Sequence, residues 1–213
     1  MVALTSRRLT DPTDPQPSTA PTANGPEGNE RLTALTGAVL LLLFAAQGVT
    51  LLSLGTLLTW HFFIGLLLIG PVGLKVGSTG YRFIRYYTGH PAYRRKGPPT
   101  PLLRLLGPLV VATSVAVLTT GVVLALVGRA VGPFSILLLH KASFLCWAAV
   151  MTIHVLAHVW RLPQLITTGL RPKSAQHGRG RLPGAPARWA LLAAALVGGL
   201  VLAFLGAPLA ARW

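Results

Sequence analysis

Apolar residues in this sequence gather into five long runs separated by polar and proline-rich segments. The runs are Leu32–Leu52, Leu57–Val76, Leu105–Val127, Phe134–Trp160 and Trp189–Ala210. Each is near the ~20 residues that an α-helix needs to cross a bilayer core, so the pattern predicts five transmembrane helices. The first two runs are poorly separated, because Gly48–Thr56 is itself apolar. A tight turn near Leu52–Thr56, around Gly55, is expected there, since one continuous helix would be roughly twice the membrane thickness. Gly97-Pro98-Pro99 and Pro101 stop any helix ahead of the third run. Residues 1–30 are rich in Pro, Thr, Ser, Asp and Asn, and read as a disordered tail. They lack the apolar core of a cleavable signal peptide, so the first helix is expected to act as its own signal. Gly169–Ala187, rich in Gly, Pro and Arg, reads as a flexible loop. The expected organisation is a tail over 1–30, a four-helix membrane bundle over 31–160, a basic loop over 161–188, and a fifth helix with a short C-terminus over 189–213. No internal repeat of the transporter kind is visible.

Charge orients these helices. Only 11% of the 213 residues are charged, and mean hydropathy is +0.61. A soluble domain carries about a quarter charged residues, so an ordinary soluble enzyme is excluded. The balance is 19 Lys+Arg against 4 Asp+Glu, formally +15. One cluster, Arg82, Arg85, Arg94, Arg95, Lys96 and Arg104, lies between the second and third runs. Another, Arg161, Arg171, Lys173, Arg179, Arg181 and Arg188, lies between the fourth and fifth. The remaining connections hold only Arg129. The positive-inside rule then places both basic loops and the N-terminus in the cytoplasm and the C-terminus outside. The expected location is a membrane, crossed several times. Trp60, Trp160 and Trp189 fall at span ends, and Tyr81, Tyr86, Tyr87 and Tyr93 lie in or beside the first basic loop, as interfacial belts do. Lipid headgroups account for the basic and aromatic residues alike, so membrane lipid is the expected partner and nucleic acid is not.

All four acids, Asp11, Asp14, Glu27 and Glu30, precede Arg31. The spans therefore offer no carboxylate pair for acid–base chemistry, no carboxylate-bound Mg or Ca, and no carboxylate proton relay. The single cysteine, Cys146, excludes an internal disulfide, a CxxC zinc site and an iron–sulfur cluster. It reads as a small buried hydrophobe.

Histidine is the remaining chemistry. His90 and His177 fall in loops and are expected to be solvated. His61 lies on the second predicted helix, and His140, His154 and His158 on the fourth. Ionisable residues inside a membrane are costly, which makes each a functional candidate. His140 and His154 are fourteen residues apart, about 40° in azimuth and about 21 Å along the axis. His158 lies five turns from His140, about 27 Å along the same stripe. Phe144, Trp147 and Met151 fill the stripe between them, and Met151 reads as packing. Neutral imidazole is an axial ligand for haem iron, and bundles supply such ligands from facing helices. The second and fourth helices run in the same direction, and His61 and His140 both fall early in their spans. These two are the expected ligand pair of an outer haem. Gly65, one turn from His61, leaves room for a macrocycle. His154 or His158 would serve an inner haem. Lys75 follows His61 by fourteen residues, as His154 follows His140. It can snorkel to the headgroups, pair with a propionate of an inner haem, or ligate, although Pro71 kinks the helix between His61 and Lys75. Zinc or copper at His154 and His158 lacks a third carboxylate or thiolate ligand. Gln47, at the level of His61, either bonds the imidazole or bonds across helices.

The segments Trp60-His61-Phe62-Phe63 and Leu139-His140-Lys141-Ala142-Ser143-Phe144, followed by His154-Val155-Leu156-Ala157-His158, resemble the membrane-embedded cytochrome b superfamily. That group includes bacterial haem-b cytochrome b subunits and ferric-reductase-like transmembrane domains. Gly77-Ser78-Thr79-Gly80-Tyr81-Arg82-Phe83 with Tyr86-Tyr87-Thr88-Gly89 looks like a set found in actinobacterial relatives. The resemblance covers about residues 33–160. It implies an all-α integral membrane four-helix haem-binding bundle, here with a fifth peripheral transmembrane helix. It also implies haem b (heme b) as cofactor, and electron transfer through the bilayer between a quinone or partner subunit and an acceptor. The chain would be an electron-transfer subunit of an oxidoreductase rather than a stand-alone enzyme, with the cofactor carrying the redox chemistry. Two-haem members place two histidines on each of two helices. The second helix here has only His61, so one outer haem fits better than two. The competing readings are a haem-free scaffold or assembly subunit with structural histidines, and a small transporter, against which the missing acids and repeat count.

Overall fold

The computed structural model describes residues 26–91, 94, 101–159 and 185–213, with side chains for 32–91, 94, 105–157 and 186–213. Most of the expected tail and basic loop, His177 and the side chain of His158 lie outside these residues. The described chain is mostly helical, and five of its helical stretches are long and apolar enough to cross a membrane: Leu32–Leu51, Leu54–Tyr87, Leu105–Val127, Ile136–Ala157 and Pro186–Arg212.

Helix α1 spans Pro26–Thr50. It starts earlier than the expected end of the tail, because Pro26 fits a first helical position and acidic residues follow in the first turn. A 3-10 turn at Leu51–Ser53 leads into α2, Leu54–Leu67. The reversal falls in the expected stretch, with the non-helical residues Ser53 and Leu57 (φ −106, ψ 15) on either side of Gly55. Ser53 leaves helical geometry (φ −148, ψ 65) and Gly55 sits inside α2. Helix α3, Ile69–Tyr87, continues the second span after a break at Leu68. Pro71 explains the break, since it has no N–H to give to the Leu67 carbonyl. The flanking bonds Leu68 N to Ile64 O and Val72 N to Leu68 O, both 2.9 Å, keep the two helices one bent rod. At 1.5 Å per residue its 34 residues reach about 50 Å, well beyond a core of about 30 Å. The expected loop from Gly77 to Tyr87 is thus helix. Gly89, at φ +84, ends it in a Schellman cap, with His90 N bonded to Arg85 O and Gly89 N to Tyr86 O.

Helix α4 spans Pro101–Val127 and stops at Gly128, φ +91. A small hairpin follows, β1 (Ala130–Val131) antiparallel to β2 (Phe134–Ser135), turning at Gly132 with φ +56. Glycine suits this first turn position, where φ must be positive. Helix α5 spans Ile136–Val159, and α6 spans Ala185–Gly206 followed by a 3-10 segment, Ala207–Arg212.

Helices α4 and α5 pack side by side, α1 lies against α2 and α3, and α2 joins the two groups through α4. Leu40, Leu68 and Val72 form the buried centre, with Phe44, Ile64 and Leu118 against it. Many large apolar side chains face outward, as lipid-facing residues do; Leu205 is 74% exposed. Cys146, expected inside, is also exposed.

The fifth helix is not peripheral. Helix α6 packs along α2 and α3 at backbone contact. A Cβ at Gly70 would strike the Ala195 carbonyl, one at Gly199 would strike the Leu67 carbonyl, and one at Gly206 would strike the Leu66 side chain. Small residues let membrane helices approach this closely. Pro71 withholds the usual i+4 N–H from the Leu67 carbonyl, and a side chain on Gly199 would point at that same oxygen. Cα–H···O contacts recur between tightly packed helices. Phe63 and Phe204, 5.2 Å apart edge to face, continue the contact.

Candidate functional site

Both outer histidines are held by threonines from neighbouring helices. Thr50, buried at the end of α1, gives its hydroxyl proton to the Gln47 carbonyl at 2.6 Å. Its oxygen lies 2.8 Å from Nδ1 of His61 on α2. The Gln47 amide lies 3.0 Å from the same nitrogen and donates to the His61 carbonyl at 3.2 Å. Gln47 therefore bonds the imidazole and bridges the helices at once, which joins the two expectations for it.

His140 on α5 repeats the arrangement with α4. Thr120 donates to the Ala116 carbonyl at 2.8 Å, and its oxygen lies 3.1 Å from Nδ1 of His140. Ser143 is 2.8 Å from the Thr120 hydroxyl and donates to the His140 carbonyl at 2.9 Å. The hydroxyl chain ends on backbone acceptors, so Thr120 takes the Nδ1–H of His140. Each ring is thus held at Nδ1 by hydrogen bonding of the kind that orients ligating histidines.

His61 and His140 line one cavity of about 260 Å³. Its wall is almost wholly apolar and includes Phe44, Leu58, Gly65, Leu118, Phe144 and Trp147. Gly121 on α4 faces the His140 ring, and a Cβ there would come within 3.1 Å of it. Gly65 lines the same space, as its position below His61 suggested. Trp147 is fixed by a bond from Nε1 to Ser114 at 3.1 Å and by Phe44, whose ring is 4.8 Å away. Two imidazoles thus share a largely apolar space with aromatic walls. That donor set suits the axial positions of a haem iron. Among the described residues, no group of three or more His, Cys, Asp or Glu gathers as a metal cluster, which leaves an ion bound only by protein ligands without its usual four.

The structure does not bring the inner candidates to this cavity. His154 lies lower on α5 and is not part of its wall, and neither is Lys75. The Lys75 ammonium reaches across to α1 and donates to the Thr33 carbonyl at 2.7 Å, in a niche that Gly37 leaves open. Thr33 and Ser78 bond beside it at 3.2 Å. Thr50, Thr120, Ser143 and Gly121 were not singled out from sequence. The signal available was their polarity or small size within apolar runs, since buried polar groups in membranes seek partners on other helices.

The chain matches no protein-family model, no curated protein and no solved structure. The fold itself defines a multi-pass membrane protein with lipid-facing helices and a histidine-bearing cavity between them.

Proposed function

We propose that this protein is a haem-b electron-transfer protein of a bacterial inner membrane, with its N-terminus cytoplasmic and one haem held by His61 and His140. The observation that carries the reading is the pair of threonine-anchored imidazoles on one apolar cavity. Haem supplies a one-electron couple when bound. The chain's part is to present two imidazoles, to hold both rings by hydrogen bonds at Nδ1, and to exclude water with Phe44, Phe144 and Trp147. A quinone bound directly between the rings is less well served, because its carbonyls need donors and the Nδ1 of each ring is already engaged by a threonine hydroxyl. A quinone or redox partner subunit would instead exchange electrons from outside the cavity. An inner haem at His154 or His158 has less support, since Lys75, its expected charge partner, is bonded to Thr33. A pyridine haemochrome spectrum of the purified protein tests the reading. About one haem b per chain is expected. Protein that carries none when made in haem-replete cells leaves a haem-free scaffold, whose histidines only bond across helices.

A further inference from the structure

We infer that the outward mouth of the cavity takes the carboxylate edge of its ligand, with Lys141 as the main charge partner and Arg129 as a second. This rests on the haem reading above and adds which way round the macrocycle lies.

Lys141 follows His140 on α5, lines the cavity and is exposed. It is the one cation in the cavity wall. Arg129 stands at the same end. Its guanidinium lies 5.3 Å from the centre of the Trp213 ring, and Trp213 lines the cavity. The Arg129 carbonyl accepts from Leu137 N at 3.2 Å, which ties the hairpin to the first turn of α5, just ahead of His140. Two cations therefore flank one end of an otherwise apolar space. Residues 31–213 contain no Asp or Glu, so no side chain of the membrane domain neutralises either. A ligand with an apolar body and an anionic edge matches both features, its body against Phe44, Leu118 and Trp147 and its carboxylates at the mouth. The opposite orientation would bury those carboxylates against Leu68 and Val72, with no cation in the wall to meet them.

The test uses the full chain made without haem supply, in an uncharged detergent, titrated with haemin and with haemin dimethyl ester. The readout is the Soret shift on ligation. The wild type should bind the free acid more tightly than the diester. Lys141→Met should weaken haemin roughly two- to fivefold, the scale of an exposed ion pair. It should leave the diester unchanged, and unchanged diester binding also shows that the cavity is intact. Arg129→Gln should give a smaller change in the same direction. An equal loss for both porphyrins, or no change in their ratio, overturns the inference; the second result is what a lysine serving only lipid headgroups would give. If neither porphyrin binds the wild type, the haem reading fails and the inference falls with it.

Discussion

The Thr50 hydroxyl lies 2.8 Å from Nδ1 of His61, with its own proton already given to the Gln47 carbonyl. That hydroxyl and the Gln47 amide, 3.0 Å from the same nitrogen, hold the imidazole in one orientation. Thr50→Val keeps the shape and removes the hydroxyl contact. Haem affinity should fall about 10–100-fold, as for other outer partners of ligating histidines. Thr50→Ser should restore most of it. Low-temperature EPR of the oxidised protein should broaden in the Val variant, because the His61 ring plane is freed.

Removal of either ring is more severe. His61→Ala and His140→Ala should each abolish the same haem signal, since each takes one axial bond from one site. His90→Ala, outside the cavity, should keep the full wild-type spectrum. A full haem complement in His140→Ala would break the pairing.

Lys75→Met tests the inner end. Its bond to the Thr33 carbonyl ties α3 to α1. Loss of that bond should cost about 1 kcal/mol, roughly 2–4 °C in Tm for a chain of this size. Haem per chain should not change. A drop in haem content would restore Lys75 to a cofactor role.

Two glycines of α3 separate contact from mere helix propensity. Gly70 sits against the Ala195 backbone, whereas Gly73 has nothing within 4 Å of its would-be Cβ. Gly70→Ala should destabilise by about 1–3 kcal/mol, as overpacking does. Gly73→Ala should be neutral or slightly stabilising. Thermal unfolding in detergent compares them directly.

Orientation is checked at the hairpin. Ala130→Cys should label with an impermeant thiol reagent in intact cells, and His90→Cys should label only after the cells are opened. Labelling in the reverse order inverts the proposed topology.

The spans were legible because a run of ~20 apolar residues has few alternatives in a chain this poor in charge. The His61–His140 meeting was legible too, from depth and helix direction alone. Other features left weaker traces. Arg82, Arg85 and the neighbouring tyrosines read as a loop, yet a helix that leaves the membrane can carry such residues into the headgroups without unwinding. The first reversal lay where Gly55 suggested, although Ser53 and Leu57, not Gly55 itself, leave helical geometry. Thr50 and Thr120 look like ordinary helix residues bonding back to their own turns, and only packing shows where their spare lone pairs go. The docking of α6 was hidden for a different reason. Gly70 and Gly199 are far apart in sequence, and glycine in an apolar run carries no sign of what it will touch.

The released Leu67 carbonyl has a consequence for biogenesis. Lipid offers that oxygen no hydrogen in place of the N–H that Pro71 lacks, so until α6 arrives the second span has neither that bond nor the Gly199 contact at this turn. Gly199 emerges from the ribosome 132 residues later, on the order of ten seconds at ordinary translation speeds. Through that interval the half of the protein that bears His61 is unfinished, and the last-made helix completes it. Truncation ahead of Ala185 should therefore yield a chain that inserts but is cleared by membrane proteolysis, a checkpoint written into the order of synthesis.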